Sequence, residues 1–291
     1  MEKYLKLIQS TDKSLKINNY EVNDIGADNL VIIVNNDLVF KFPKQEVFYE
    51  REVEFLNYIR PHISANIPNV KIFNTDRQKF TCHKIIKGIS YHELNYNERK
   101  SVADKLSTYL AKFFAELHSI KITNDFQKDN QHYFINQEQE DTILKHFESD
   151  KSMINDFLNT KEYLKNYEKV EKDMCICHDD LHFGNIIIDN GKPSGIIDFG
   201  DMIVCNYNRD FYQLCMRDFN AKFENNFNGL SKLTIEKYEK ISGKKVDLKY
   251  LKYRLLAKLY RYLAKGIIEK GKIDEEIVEK INICKNNNSI F

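Results

Sequence analysis

The chain has 291 residues, room for one large domain or two small ones. Charged residues make up 30% and hydrophobic residues 42%, the balance of a globular chain able to bury a sizeable core. The 44 Lys+Arg against 43 Asp+Glu leave a formal +1, which argues against a general nucleic-acid binder. The charged start Met1-Glu2-Lys3-Tyr4-Leu5-Lys6 lacks the apolar stretch of a signal peptide. The aliphatic run Leu30–Val34 is too short to span a bilayer. Six cysteines with no Cys-x-x-Cys read as free thiols in a reducing compartment, so a cytoplasmic chain with no membrane partner is expected.

Strands are predicted over Leu15–Ile25, Leu30–Val34 and Leu38–Phe42. The first turn is Gly26-Ala27-Asp28-Asn29, the second Asn35-Asn36-Asp37, and Pro43 stops the third strand. Gln45–Arg60 has helical periodicity, and Val70–Phe73 and Lys79–Ile86 read as further strands. Beyond Gly88 the pattern changes to long helices. In Asn97–Ile120, apolar residues recur at three- and four-residue steps, and residues 135–170 are helical and polar. A β-rich island, Met174–Asp198, interrupts the helices, which resume from Phe211. The order is a small sheet with one helix, then a larger helical part with an embedded hairpin.

The island carries the chemistry. Cys177-His178-Asp179-Asp180-Leu181-His182-Phe183-Gly184-Asn185 leads into an apolar strand, Asn190-Gly191 signals a hairpin turn, and Ile197-Asp198-Phe199-Gly200-Asp201 follows. A hairpin of that length folds Asn185 and Asp198 back towards one another, with Asp180 in the loop before it. Asn185 and Asp198 offer the oxygens that Mg²⁺ prefers, and Asp180 can accept a proton from a hydroxyl. Cys175, Cys177, His178 and His182 fit no common zinc spacing and read as core thiols beside a polar loop.

On the helix 45–60, Phe48, Glu52, Phe55, Leu56 and Ile59 share one face. A carboxylate among apolar residues needs a cation, and Lys41, which alternates with Phe40 and Phe42, is the natural partner. Lys44 is the alternative phosphate contact. Gly26 is the only glycine of the turn where a phosphate loop would lie.

The string His178-x-Asp180-Leu181-x-x-x-Asn185 with Ile197-Asp198-Phe199-Gly200 resembles the Brenner motif of the aminoglycoside phosphotransferases, which share the protein-kinase-like fold. Phe40-Lys41-Phe42-Pro43-Lys44, Leu117-His118-Ser119-Ile120 and Gly195–Asp201 are most similar to the aminoglycoside 2″-phosphotransferases. The resemblance implies an α+β fold of two lobes, 1–88 and 89–291. It makes Asp180 the catalytic base and Asn185 and Asp198 the Mg²⁺ ligands. Lys41, Glu52 and Gly26 fall at the phosphates, and Lys84 and Ile86 against the base of ATP or GTP. Asp201 and Asp210 are the candidate acceptor contacts, and a monomer without nucleic-acid partners is expected.

The acceptor implied is an aminoglycoside, and the function antibiotic resistance. The chain departs from that pattern: Cys205-Asn206 stands where the 2″ enzymes carry Asp-Pro, Met216-Arg217-Asp218-Phe219-Asn220 holds one acid and one base where they tend to be rich in acids, and residues 231–285 hold 15 Lys+Arg against 8 Asp+Glu. A macrolide, a choline-like alcohol or a sugar-like metabolite is the alternative acceptor, and a nucleotide-binding regulator without catalysis the alternative class.

Overall fold

The computed structural model describes residues 1–24, 29–44, 49–76, 78–122, 126, 135–168, 173–224 and 228–286. In chain order the elements are α1 (Glu2–Thr11), β1 (Tyr20–Asn23), β2 (Asn29–Val34), β3 (Leu38–Pro43), α2 (Tyr49–Ile59), β4 (Lys71–Asn74), β5 (Lys79–Lys84), β6 (Ile89–Ser90) and α3 (Tyr96–Leu117). Then come α4 (Gln137–His146), α5 (Lys151–Glu168), β7 (Met174–Cys177), β8 (Ile186–Asp189), β9 (Lys192–Ile196), β10 (Ile203–Asn206), α6 (Tyr212–Phe223), α7 (Leu230–Ser242), α8 (Leu248–Lys270) and α9 (Glu275–Asn286). No described helix is long and apolar enough to cross a membrane.

The chain divides into two compact units: Met1–Leu94 with Gly184–Met202, and Asn95–Phe183 with Ile203–Phe291. Placing a single boundary at 88–89 would separate the β8–β9 hairpin from the unit it packs in. Ile196 N–H donates to the Asn66 carbonyl at 3.0 Å, Asn66 Nδ2 donates to the Ser194 carbonyl at 3.0 Å, and β6 pairs with β8.

In the first unit an antiparallel sheet runs in the order β1-β2-β3-β5-β4. Strand alternation sorts its residues by parity. Leu30, Ile32, Val34, Phe40, Phe42, Phe80 and Cys82 are buried on one face together with Leu7 and Ile8 of α1. Helix α1 escapes a reading that looks only at its charges, but its two buried side chains complete this core. Asn35 and Asn36 turn β2 into β3 at positive φ (54° and 53°), which Asn tolerates. The strand expected over Leu15–Ile25 is confined to Tyr20–Asn23, all four residues exposed.

In the second unit α3 packs on α7, and α8 contacts α4, α5, α6 and α9. Asn95 and Glu98 form a reciprocal capping box at the start of α3. The helical stretch expected over 135–170 is two helices, because Asp150 accepts from Met153 N–H at 3.0 Å and starts α5 afresh. Strand β10, absent from the sequence reading, pairs antiparallel with β7, Cys205 opposite Cys175.

Candidate active site

The odd-numbered face of the first sheet lines a cavity of about 640 Å³, with Val31, Val39, Lys41, Thr81 and His83 on its wall. Register explains the grouping: Val39 pairs with His83 and Lys41 with Thr81. Glu52, Ile86, Asp198 and Asp201 also line it.

Lys41 is the centre of that wall. Its Nζ lies 3.0 Å from Glu52 Oε1 and 3.1 Å from Asp198 Oδ1. Burial alone would lower the ammonium's pKa, but attraction to Glu52 and then Asp198 outweighs it and holds Lys41 above its ordinary value. While its carboxylate partners stay ionised, the ammonium's contribution is complete below pH about 10.4 and is lost as pH rises beyond that, through the folded-state value. The Lys41 and Glu52 side chains are 13% and 5% exposed, so most of the pair is removed from bulk solvent. Lys41→Met should then lower stability by roughly 3–5 kcal/mol, since Glu52 would be buried without its cation. Urea unfolding measures this, and a loss below about 1 kcal/mol would mean a solvated pair. Lys44 is committed elsewhere, 2.8 Å from Asp24 Oδ1. Gly26 and Phe48 lie outside the described residues.

The segment after β5 closes one end of the cavity. His83 is buried, and its Nδ1 lies 2.9 Å from the Lys84 carbonyl oxygen. A carbonyl only accepts, so Nδ1 carries the hydrogen. Burial, partly offset by that bond, holds the imidazole below its ordinary pKa and hence neutral near pH 7. Lys84, expected against the nucleotide base, is instead exposed and absent from the cavity wall, with its carbonyl already accepting from His83. Ile85 N–H is likewise used, donating to the Asp37 carbonyl at 2.7 Å. Ile86 remains on the wall. Gly88 (φ 127°) and Gly195 are required by close approach: a Cβ on the first would collide with the Ile188 carbonyl, and on the second would fall 2.7 Å from the Asn66 carbonyl oxygen.

In the hairpin, Asn190 and Gly191 make the turn at φ 48° and 69°. Ile186 pairs with Ile196, and Ile197 N–H donates to the Asn185 carbonyl at 3.0 Å. Asn185 and Asp198 are thereby at adjoining backbone positions at the open end of the hairpin. Asn185 is buried. Asp198 sits at φ 65°, an unfavourable region for a non-glycine residue that turns its half-exposed carboxylate towards Lys41.

In the second unit Asp180 follows β7. Its Oδ1 accepts from Gln213 Nε2 at 2.8 Å, and His182 Nε2 stands 3.7 Å from its Oδ2. The loop is braced from beneath. Asp210 accepts from the backbone N–H groups of His178 (3.1 Å) and Asp179 (2.7 Å), and from His118 Nε2 (2.8 Å). Arg209 grips Asp179 with Nε at 2.5 Å from Oδ1 and Nη2 at 2.8 Å from Oδ2. Asp210, expected to face the acceptor, is thus a buried brace at 1% exposure with no surface for a ligand. Asp210→Ala should orphan the buried donors and cost roughly 3–5 kcal/mol in urea unfolding. Arg209 and His118 escaped the sequence reading as parts of this brace, because their partners are distant along the chain.

The thiols of Cys175 and Cys177 lie 3.6 Å apart, and both residues gather with His118 in the core. Burial pushes both thiols up, and the two His118 nitrogens already face Asp210 and the Tyr238 hydroxyl. This is packed core with its polar groups satisfied.

A profile of the phosphotransferase enzyme family matches residues 19–230. The chain belongs to that family. Solved structures similar to this phosphotransferase include a GDP- and kanamycin-bound aminoglycoside 2″-phosphotransferase (20% identity, 99% of this chain and 100% of that one, TM-score 0.68). A type I macrolide 2′-phosphotransferase matches at 17% identity over 98% and 95% (TM-score 0.61). A spectinomycin phosphotransferase bound to ADP and spectinomycin matches at 14% over 99% and 95% (TM-score 0.64). The kinase-like α+β fold of these enzymes is therefore the fold of this phosphotransferase, with a β-rich first part and a mostly helical second part.

Proposed function

We propose that this phosphotransferase moves the γ-phosphoryl group of ATP or GTP to a hydroxyl of a small molecule in the cytoplasm, acting as a monomer. The observation that carries the reading is the buried Lys41 ammonium on the cavity wall, 3.0 Å from Glu52 and 3.1 Å from Asp198. Lys41, fixed by Glu52, neutralises charge on the phosphates. Ile86 meets the base. The acceptor hydroxyl gives its proton to Asp180 as its oxygen attacks the γ-phosphorus, and the bond to the β-phosphate breaks to release nucleoside diphosphate.

Asn185 and Asp198 suit Mg²⁺ as a donor set, an amide oxygen and a carboxylate. When bound, the ion would add positive charge at the β- and γ-oxygens. Asp198 also presents an oxygen to Lys41, which holds its carboxylate oriented.

The acceptors of the similar enzymes make an aminoglycoside the first compound to test, with antibiotic resistance as its consequence. Asp201, exposed on the cavity wall, is the remaining acidic candidate for a cationic acceptor. A second reading, another small alcohol, is favoured by the Lys258 ammonium within electrostatic reach of Asp180. Nucleoside-diphosphate release with ATP or GTP and Mg²⁺, screened against aminoglycosides, macrolides and amino-alcohols, tests the reading. Nucleotide binding without release for any acceptor or for water would leave a nucleotide-binding regulator instead.

A further inference from the structure

We infer that the surface beside Asp180 in the second unit takes an alcohol that itself carries negative charge, a phosphorylated or carboxylated hydroxy compound, held by Arg217, Arg254, Lys258 and Arg261. This rests on the phosphotransfer reading above and names its acceptor class.

The placement follows from helix geometry. Gln213 of α6 holds the Asp180 carboxylate at 2.8 Å, and Arg217 lies one turn further along the same face of α6, exposed. Tyr212, next to Gln213, carries the Arg254 guanidinium over its ring at 5.2 Å, which fixes α8 alongside α6. On α8, Arg254, Lys258 and Arg261 follow at steps of four and three residues and form one stripe. The Lys258 ammonium stands 5.1 Å from the Tyr262 ring centre. Burial holds Lys258 below its ordinary pKa, and Arg261, Arg254 and Arg217 push it the same way, with Asp180 the one group opposing them. Three guanidinium groups and the Asp180 carboxylate thus lie within electrostatic reach of Lys258.

Other cations on these helices have ordinary partners. Lys265 pairs with Glu269 at 3.6 Å and Lys280 with Glu276 at 2.5 Å, each one turn away. Among the described residues Arg217, Lys258 and Arg261 form no ion pair. Like charges brought together repel, and a bound anion relieves that repulsion. Guanidinium forks match phosphate and carboxylate oxygens alike. A polycation presenting its hydroxyl to Asp180 would meet the same four charges with the wrong sign.

The test uses the full chain and a charge-graded set of alcohols: kanamycin, glycerol, glycerol 3-phosphate, glucose 6-phosphate and glycerate. Binding is read by calorimetry without nucleotide, and nucleoside-diphosphate release is followed with Mg²⁺ and ATP or GTP. The anionic alcohols should bind and raise release about tenfold over water, with affinity falling several-fold between about 50 and about 300 mM KCl. The phosphate and carboxylate arms separate the two anion sources. Arg217→Ala and Arg261→Ala should each raise KM for the anionic acceptor about fivefold or more while changing kcat less, and Lys265→Ala should not. Stimulation by kanamycin with no binding of any anion overturns the inference. So does anion binding that both arginine variants leave intact, since the anion then sits elsewhere. Anion binding with the expected salt and arginine dependence, but no nucleoside-diphosphate release, supports the anionic surface and counts against phosphotransfer, so the two failures are separable.

Discussion

Replacing Asp180 by alanine is expected to lower kcat by about 10²–10⁴-fold. The proposed role of this part-exposed side chain is proton acceptance rather than packing. Its Oδ1 is oriented by the Gln213 amide and its Oδ2 lies near His182, while the loop that carries it hangs from Asp210 and Arg209. The orienting groups do not depend on the carboxylate for their own burial, so the variant should fold. Asp180→Asn keeps the shape and should lose nearly as much, because an amide cannot take the proton. Nucleotide affinity should stay within about twofold in both, since the cavity wall belongs to the first unit. Single-turnover release of nucleoside diphosphate is the measurement, and a kcat within about threefold of the native value removes Asp180 from the base role.

What the sequence made legible follows from the period of each element. In β3, Lys41 must face away from Phe40 and Phe42 because successive strand residues alternate, and on α2 Glu52 must share a face with Phe55, Leu56 and Ile59. Two faces each bearing one ion are enough to anticipate their meeting at 3.0 Å. The β8–β9 hairpin was equally readable, since Asn190-Gly191 fixes the turn and apolar strands fix the pairing. Asp210 was misread because its position just past the metal motif suggested a ligand face. Its three donors come from residues 31, 32 and 92 positions earlier in the chain, and nothing local announces them. The Lys84 side chain is exposed and off the cavity wall, and its carbonyl accepts from the His83 ring, a bond with no sequence signature. The basic excess of 231–285 reads naturally as a solvated face. The i, i+4, i+7 spacing of Arg254, Lys258 and Arg261 is visible in the sequence, whereas the approach of Lys258 to Arg217 and Asp180 depends on how α6 packs on α8.

Asp198→Ala is expected to weaken Mg²⁺-dependent nucleotide binding by about 10²-fold or more, with Asn185→Ala costing less because an amide oxygen carries no full charge. Stability should respond differently. Asp198 is 51% exposed, so the ion pair it gives Lys41 contributes at most about 1 kcal/mol, and Glu52 still satisfies the ammonium at 3.0 Å. The residue also occupies φ 65°, and alanine there retains a strain of about 1–2 kcal/mol without an aspartate's local hydrogen bonding. Asp198→Gly removes that strain and should melt at or above the temperature of Asp198→Ala, with the same loss of nucleotide binding. Thermal melts with and without nucleotide and Mg²⁺, compared with affinities at the same ion concentrations, separate the two effects. A large loss of stability with Mg²⁺-dependent affinity intact would make Asp198 a structural partner of Lys41 and end its role at the metal.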